Sequence, residues 1–503
     1  MNGKVQGIVI CGVIAASLAG VLVFLNTTGD GSKKDSSSSS SADTASSAGE
    51  MEHYVVLDKD AAEISAVTAV NEAGGFTLDR PASGKSSWTI EEITSINQNK
   101  VMIEDVIDKC GLLEASKIAE EGASDLGKYG LDEPAASFTV SYLDGSSKTV
   151  LVGDTAPDSK YTYIKLEDDD TVYMMLGSRI KYFLESALDF ANLSLIAQPV
   201  NDSDWPEYGK ETITRSDWDY NVVFENDPKD IEGMLSSQVI SEPIFAYLNI
   251  TGSSAVTHGM WGLTAHSCAA AAPDEAQLAE FGLDEPRCVV SLKGDEYDYK
   301  LSVGGEAYDP DVAETDTPVL LGYYCTLEGV TGCNAVYVIP EQNLPWVTFK
   351  IEDVISNLMT TNYLVDLAEM SIDMGGTKTV YDIETNGGSS DTDENGKAAD
   401  VQAVTAGGKD IDVYEFKSLY QFIMSCPTNE ICFEDPSGEP EVTITETRKD
   451  GGEDVIELYK DTARRYVVKL NGKTSFRIQS TWVDSLGTNI ESVNNGGKVN
   501  DNY

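Results

Sequence analysis

Two six-residue phrases constrain this chain more than any other feature. Tyr129-Gly130-Leu131-Asp132-Glu133-Pro134 returns as Phe281-Gly282-Leu283-Asp284-Glu285-Pro286, 152 positions later. An eroded third copy begins near Glu439-Pro440, a similar distance further on. Self-similarity at such a period means one architectural unit used in tandem. At 503 residues the chain has room for three units of about 150 residues each. The expected boundaries are residues 1–28 for a membrane segment, 29–50 for a linker, then repeats at 51–200, 201–358 and 359–503, the last degenerate.

Each repeat reads in the same order. An alternating strand opens it, with an acid matched in sequence order: Glu63, Glu211 and Glu369. A second strand follows, as in Gly75-Phe76-Thr77-Leu78 and Tyr381-Asp382-Ile383-Glu384. An amphipathic helix comes next, because Val413, Phe416, Tyr420 and Ile423 recur at helical spacing, as do Val106, Ile107 and Cys110. The shared phrase then reads as a helix-to-strand joint. Gly130 and Gly282 can adopt the left-handed conformation that closes a helix, and Leu131 and Leu283 can fold back as its apolar contact. Pro134 and Pro286 suit the start of a strand, where no ladder donor is needed. Asp132 and Asp284 could belong to a binding signature, yet the joint explains every residue without a ligand.

Beyond the joint, Phe138, Val140 and Tyr142 alternate before an Asp144-Gly145 turn, and Tyr297, Tyr299, Leu301 and Val303 alternate in the second copy. The third copy ends in an Asn471-Gly472 hairpin signal. Period-2 alternation implies antiparallel sheets with one covered face. Stripes at Ile180, Phe183, Leu184 and Leu188, and at Ile351, Val354, Ile355 and Leu358, predict a further helix after each meander. The fold class is therefore α+β: tandem repeats of an antiparallel β-meander with packed helices, following an N-terminal transmembrane helix.

That last element rests on Val5–Leu25, which carries no charge. As a helix it would be about 31 Å long, enough to span a hydrocarbon core. A cleaved signal peptide is the rival reading, although the apolar run continues through Val21–Leu25 past the small residues where cleavage would fall. Cys11 does not read as a lipoprotein site, because Ile10 stands where a small residue belongs. Residues 29–50 form a serine-rich tether with nothing to bury and an r.m.s. reach of roughly 25 Å. The expected location is the cell membrane, single-pass, with the C-terminal region outside the cytoplasm.

Acidic residues number 84 against 35 basic ones, a net charge of −49. That field repels phosphodiester backbones, so nucleic acid is excluded as a partner. Seven cysteines lie beyond Cys11; they read as buried free thiols, and local bridges at Cys325/Cys333 and Cys426/Cys432, which are close enough in sequence, are the alternative.

The (Y/F)GLDEP joint, the Val152-Gly153-Asp154 and Val303-Gly304-Gly305 strand ends and the Asp-Gly turns resemble the signature of the bacterial domain of unknown function 4340 family. The resemblance runs through residues 51–503 and is clearest in the first two copies. It implies an exported, N-terminally anchored protein, in some cases encoded beside ABC-type transporters similar to the gliding-motility type. It implies no catalytic residue.

Motifs for chemistry are few. No metalloprotease, nucleophile-elbow, dinucleotide or P-loop sequence is present. His258, His266 and Cys268 cluster in sequence but read as a connecting segment packed by Met260 and Trp261. Asp391, Asp393 and Asn395, followed by Gly396, match half a calcium loop, yet Gln402 stands where the bidentate acid belongs. No cofactor is expected. The leading functional expectation is a non-enzymatic, membrane-anchored protein contacting a membrane or envelope protein. The alternatives are an extracytoplasmic ligand- or cation-binding module and a surface hydrolase.

Overall fold

A computed structural model describes residues 53–80, 87–227, 238–312, 317–392, 396–427 and 430–502. Val5–Leu25 and the serine-rich tether lie outside the described residues. Among the described residues no helix is long and apolar enough to cross a membrane.

The first unit comprises β1 (Tyr54–Asp58), β2 (Ile64–Asn71), β3 (Phe76–Asp79), β4 (Thr89–Ile90), helix α1 (Lys100–Gly111), β5 (Leu112–Ala115), β6 (Lys117–Glu120), β7 (Ala136–Tyr142), β8 (Ser147–Thr155), β9 (Tyr161–Leu166) and β10 (Val172–Leu176). Strands β1 and β5 pair with each other, and the rest form one sheet in the order β4-β3-β2-β7-β8-β9-β10-β6.

The second unit comprises β11 (Lys210–Arg215), β12 (Asn221–Asn226), β13 (Gln238–Glu242), β14 (Ala246–Tyr247), α2 (Ile250–Thr257), β15 (Ser267–Ala271), α3 (Glu275–Glu280), β16 (Cys288–Lys293), β17 (Asp298–Tyr308), β18 (Leu320–Glu328) and β19 (Ala335–Ile339). Its sheet runs β14-β13-β12-β11-β16-β17-β18-β19-β15.

The third comprises β20 (Leu367–Met374), β21 (Thr377–Thr385), β22 (Val401–Ala406), β23 (Lys409–Ile411), α4 (Val413–Met424), β24 (Glu430–Ile431), β25 (Val442–Arg448), β26 (Glu453–Thr462), β27 (Arg465–Leu470), β28 (Lys473–Gln479) and α5 (Ser480–Asn494). Its sheet runs β23-β22-β21-β20-β25-β26-β27-β28-β24.

The three large sheets thus follow one plan. A central strand opens each and the chain meanders outward to one edge. A helix crosses to the opposite edge and lays down a strand there. The chain then returns to pair with the opening strand and meanders back to that far edge. All pairings are antiparallel, including β2–β7, β11–β16 and β20–β25 at the centre.

Alternation decides which face is buried. On β7, Ala136, Phe138, Val140 and Tyr142 point inward, while Ser137, Thr139 and Ser141 remain partly exposed. Helix α1 covers this face with Ile103, Val106, Ile107 and Cys110, and Asn99 caps it by accepting from the Met102 N–H. In the third unit α4 buries Phe416, Leu419, Tyr420, Phe422 and Ile423. Helix α5 adds Trp482, Val483 and Leu486, with the Phe422 and Trp482 rings stacked 5.2 Å apart. Each fully buried aromatic or aliphatic side chain contributes about 1.5–3 kcal/mol. The Asn471-Gly472 hairpin adopts positive φ at both residues, 52° and 79°, as a two-residue turn of this handedness requires.

Two expectations need correction. The helices predicted after the first two meanders are single turns: Gly177–Ile180, Lys181–Leu184 and Ala187–Phe190 in one case, Ile351–Val354 in the other. Leu184 is exposed, and Ile355 is extended. The backbone is needed elsewhere, because Ala191 bridges to Gln98 and Ile355 to Leu248, beside the start of each unit's crossing helix. The matched acids also separate. Counting from the joint prolines, the centre of each sheet carries the pairs Val67–Val140, Glu211–Leu292 and Met370–Glu446. Glu211 therefore corresponds to Val67 and Met370, whereas Glu63 is exposed before β2 and Glu369 faces Thr447 on the other side of its sheet.

Neighbouring units join in one sense. The segment before α1 meets the far edge of the second sheet: Asn97 donates through its backbone N–H to Gly332 O (2.8 Å) and through its amide to Thr331 O (2.9 Å). The segment before α2 meets the far edge of the third sheet, where Phe245 N–H donates to Thr474 O (3.0 Å) and the Ser475 hydroxyl donates to Phe245 O. Equivalent parts make both junctions.

Candidate functional site

Gly130 (φ 64°) and Gly282 (φ 67°) are left-handed and follow the last helical residues. Leu131 N–H donates back to Leu126 O (3.1 Å) and Leu283 N–H to Leu278 O (2.8 Å), satisfying helix-end carbonyls. Leu131 is buried and Leu283 half-buried, while Asp132, Glu133, Asp284 and Glu285 all point outward. Pro134 and Pro286 each stand two residues before a central strand, β7 or β16.

The joint explains a second sequence feature. A Cβ on Gly153 would lie 2.2 Å from Tyr129 O and 2.9 Å from Leu131 Cγ, and one on Gly304 would lie 2.5 Å from Phe281 O. The joint rests directly on these strand glycines. Register places Tyr459 at the same position in the third sheet, since Val152, Val303 and Leu458 face Ala136, Cys288 and Val442. The third copy has therefore lost the Gly-Leu of the joint and the glycine beneath it together.

Asp393 and Asn395 lie outside the described residues. Asp391 Oδ2 accepts from Gly388 N–H at 2.7 Å and closes a local turn. His258 packs among Trp205, Tyr208 and the Thr257 hydroxyl, and burial lowers its pKa; His266 is exposed. Among the described residues no group of three or more His, Cys, Asp or Glu is arranged to hold a metal. All seven described cysteines are free and buried, so neither Cys325/Cys333 nor Cys426/Cys432 is bridged. Burial pushes the Cys268 and Cys288 thiols up to about 12.

What the sequence reading missed is a pair of buried acids at the centres of the second and third sheets. Glu211 is 1% exposed; Tyr208 Oη donates to its Oε2 (2.9 Å) and Trp346 Nε1 to its Oε1 (2.6 Å). Burial pushes its carboxyl up to about 8, with the two donors pulling the other way.

Glu446 accepts from the Thr360 hydroxyl (2.7 Å) and the Asn362 amide (2.8 Å). Asn362 also donates to Asp454 (2.8 Å), which Arg448 holds at 2.7 Å with both side chains buried. Tyr420 of α4 donates to Asn362 O (2.8 Å). Tyr247 of the second sheet belongs to the same environment: burial raises its hydroxyl pKa, and the charges of Asp227 and Glu446 raise it further. A cleft of about 360 Å³, lined by Leu248, Asn249, Ile355, Ser356, Asn357 and Thr361 among others, opens beside this network. The network fixes the linker between the second and third sheets. Alternation held the clue, because Glu446 and Arg448 share inward parity with Val442 and Ile444.

These features define an α+β protein of antiparallel sheets whose signature phrase is a structural joint. Residues 88–203 match the family described as Domain of unknown function (DUF4340). That span contains α1, the first joint and the Gly153 strand on which it rests. Comparison with curated proteins and with solved structures gives no match.

Proposed function

We propose that the chain is a non-enzymatic, membrane-anchored extracytoplasmic protein built as a threefold tandem array, which makes contacts with a membrane or envelope protein. In this reading Val5–Leu25 is the anchor and residues 29–50 are the tether. An ABC-type transport system of the gliding-motility kind is the partner class that the family resemblance favours.

One observation carries the proposal. The residues that recur between units (joint, supporting glycine and helix-capping Asn99 and Asn249) are spent on holding shape, and the same parts join each unit to the next. A repeated scaffold joined end to end displays an extended surface, which suits recognition of another macromolecule. The test is affinity capture of the full chain after mild detergent extraction, with and without crosslinking. Recovery of a stoichiometric membrane or envelope partner is expected. Purification as a lone polypeptide under every crosslinking condition would overturn the reading.

A further inference from the structure

Basic side chains are scarce in this chain, and arginine especially so, yet three of its eight arginines line one depression at the far edge of the third sheet. Arg464 and Arg465 lie at the turn into β27, and Arg477 reaches the same space from β28. Two adjoining clefts, of about 660 and 260 Å³, share Glu430, Arg464, Arg465 and Arg477 as walls.

The carboxylates present act as braces. Glu430 pairs with Arg465 and, at 3.4 Å, with Arg477; Asp461 meets Arg477 Nε at 3.3 Å, and Glu434 meets its other terminal nitrogen at 3.5 Å. Arg464 is exposed and makes no ion pair among the described residues. Its guanidinium is the uncommitted charge of the cluster. Helix α5 begins immediately after the cleft-lining Gln479, with no side-chain cap and no acid in its first turn. Its first N–H, that of Ser480, donates to Arg464 O (2.9 Å) and ties the arginine turn to the positive end of the helix dipole.

The shared scaffold does not call for this cluster. Register places Met174 of the first sheet and Val338 of the second where the third has Arg477. An apolar side chain serves the fold there, so the arginine answers to something else. A guanidinium presents parallel N–H donors that match a tetrahedral oxyanion, and bracing one arginine with carboxylates lowers the ordering cost for a ligand that meets its neighbour.

We propose that the Arg464–Arg465–Arg477 depression is a binding site for a phosphate ester, with Arg464 and Arg465 taking the phosphoryl oxygens. The phosphate group could come from a soluble ester or from a lipid headgroup. The full chain, held in an uncharged sugar-headgroup detergent at constant ionic strength, would be titrated with glycerol 3-phosphate in one arm. Short-chain phosphatidylglycerol would be added in the other, and thermal shift would be followed in both.

Saturable stabilisation by at least one ligand is expected, and Arg464→Gln should weaken it about tenfold, the equivalent of one lost charge-assisted hydrogen bond. Arg464→Lys should recover part of the loss. Tenfold tighter binding of the lipid would assign a headgroup, and equal binding a soluble ester. Arg464 has no ion-pair partner to strand, so its variants test binding without unsettling the fold. No saturable response in either arm, or an Arg464→Gln curve that overlays the wild type, would overturn the proposal.

Discussion

Gly153→Ala isolates the load that the joint places on the strand beneath it. Gly153 does not need a positive φ, so alanine is free to adopt its backbone conformation. On conformational entropy alone the change should stabilise the protein by about 0.4–1 kcal/mol. The structure predicts the opposite sign. The new Cβ would fall 2.2 Å from Tyr129 O and 2.9 Å from Leu131 Cγ, so the joint must move by about 1 Å to restore ordinary contact. It cannot move cheaply, because Leu131 is 2% exposed and its N–H is held by Leu126 O.

Overpacking a close site costs about 1–3 kcal/mol, and a backbone neighbour puts this case near the top of that range. For a unit of this size about 3 kcal/mol corresponds to a melting temperature roughly 6–12 °C lower. Urea unfolding followed by circular dichroism gives the free energy, and hydrogen exchange of the β8 amides localises it. Gly304→Ala should behave alike, whereas Tyr459→Ala in the third unit, which has no joint to collide with, should change stability by about 1 kcal/mol or less. A Gly153→Ala protein as stable as wild type, or more stable, would refute the idea that the joint rests on this glycine.

Glu211 should make stability fall as pH rises. Between the ordinary carboxyl value near 4.5 and its folded value of about 8, the folded state keeps a proton that the unfolded state has released. Each pKa unit of that displacement is worth about 1.4 kcal/mol, and Glu211→Gln should flatten the slope over this range in pH-dependent urea titrations. Trp346→Phe removes the donor to Glu211 Oε1 and Val256 O and should cost about 1–3 kcal/mol in the same assay. Arg448→Ala takes the guanidinium from the buried Asp454 carboxylate and should cost about 3–5 kcal/mol, with exchange protection lost first in the linker around Asn362. Millimolar calcium should leave the melting temperature unchanged, because Asp391 already closes its own turn and Gln402 cannot supply a bidentate acid.

Local chemistry made much of this architecture readable before any coordinates. The joint glycines, the Asn471-Gly472 hairpin and the apolar face of Val413–Met424 follow from φ preference and periodicity, which depend on neighbours in sequence. What escaped depends on pairing across the sheet. Glu63, Glu211 and Glu369 look alike in sequence order, but a register counted from the joint prolines puts only Glu211 at the sheet centre. Likewise the stripe Ile351–Leu358 has helical spacing, yet Ile355 gives up its helix to bridge Leu248, a partner more than a hundred positions away. The polar network at Glu446 was missed: its inward parity with Val442 and Ile444 was an unread clue, and Thr360 and Asn362, its hydrogen-bond partners, come from a linker with no periodic signal.

The enclosed thiols have a practical consequence for anyone mapping how this molecule sits on a cell. With all seven described thiols walled in, and two held near 12 as acids, a membrane-impermeant maleimide should find little to attack among the described residues, and Cys11 lies outside them. In a Cys11→Ser background, a single cysteine engineered at an exposed position such as Tyr414 would then report by itself whether the folded units are accessible from outside the cell.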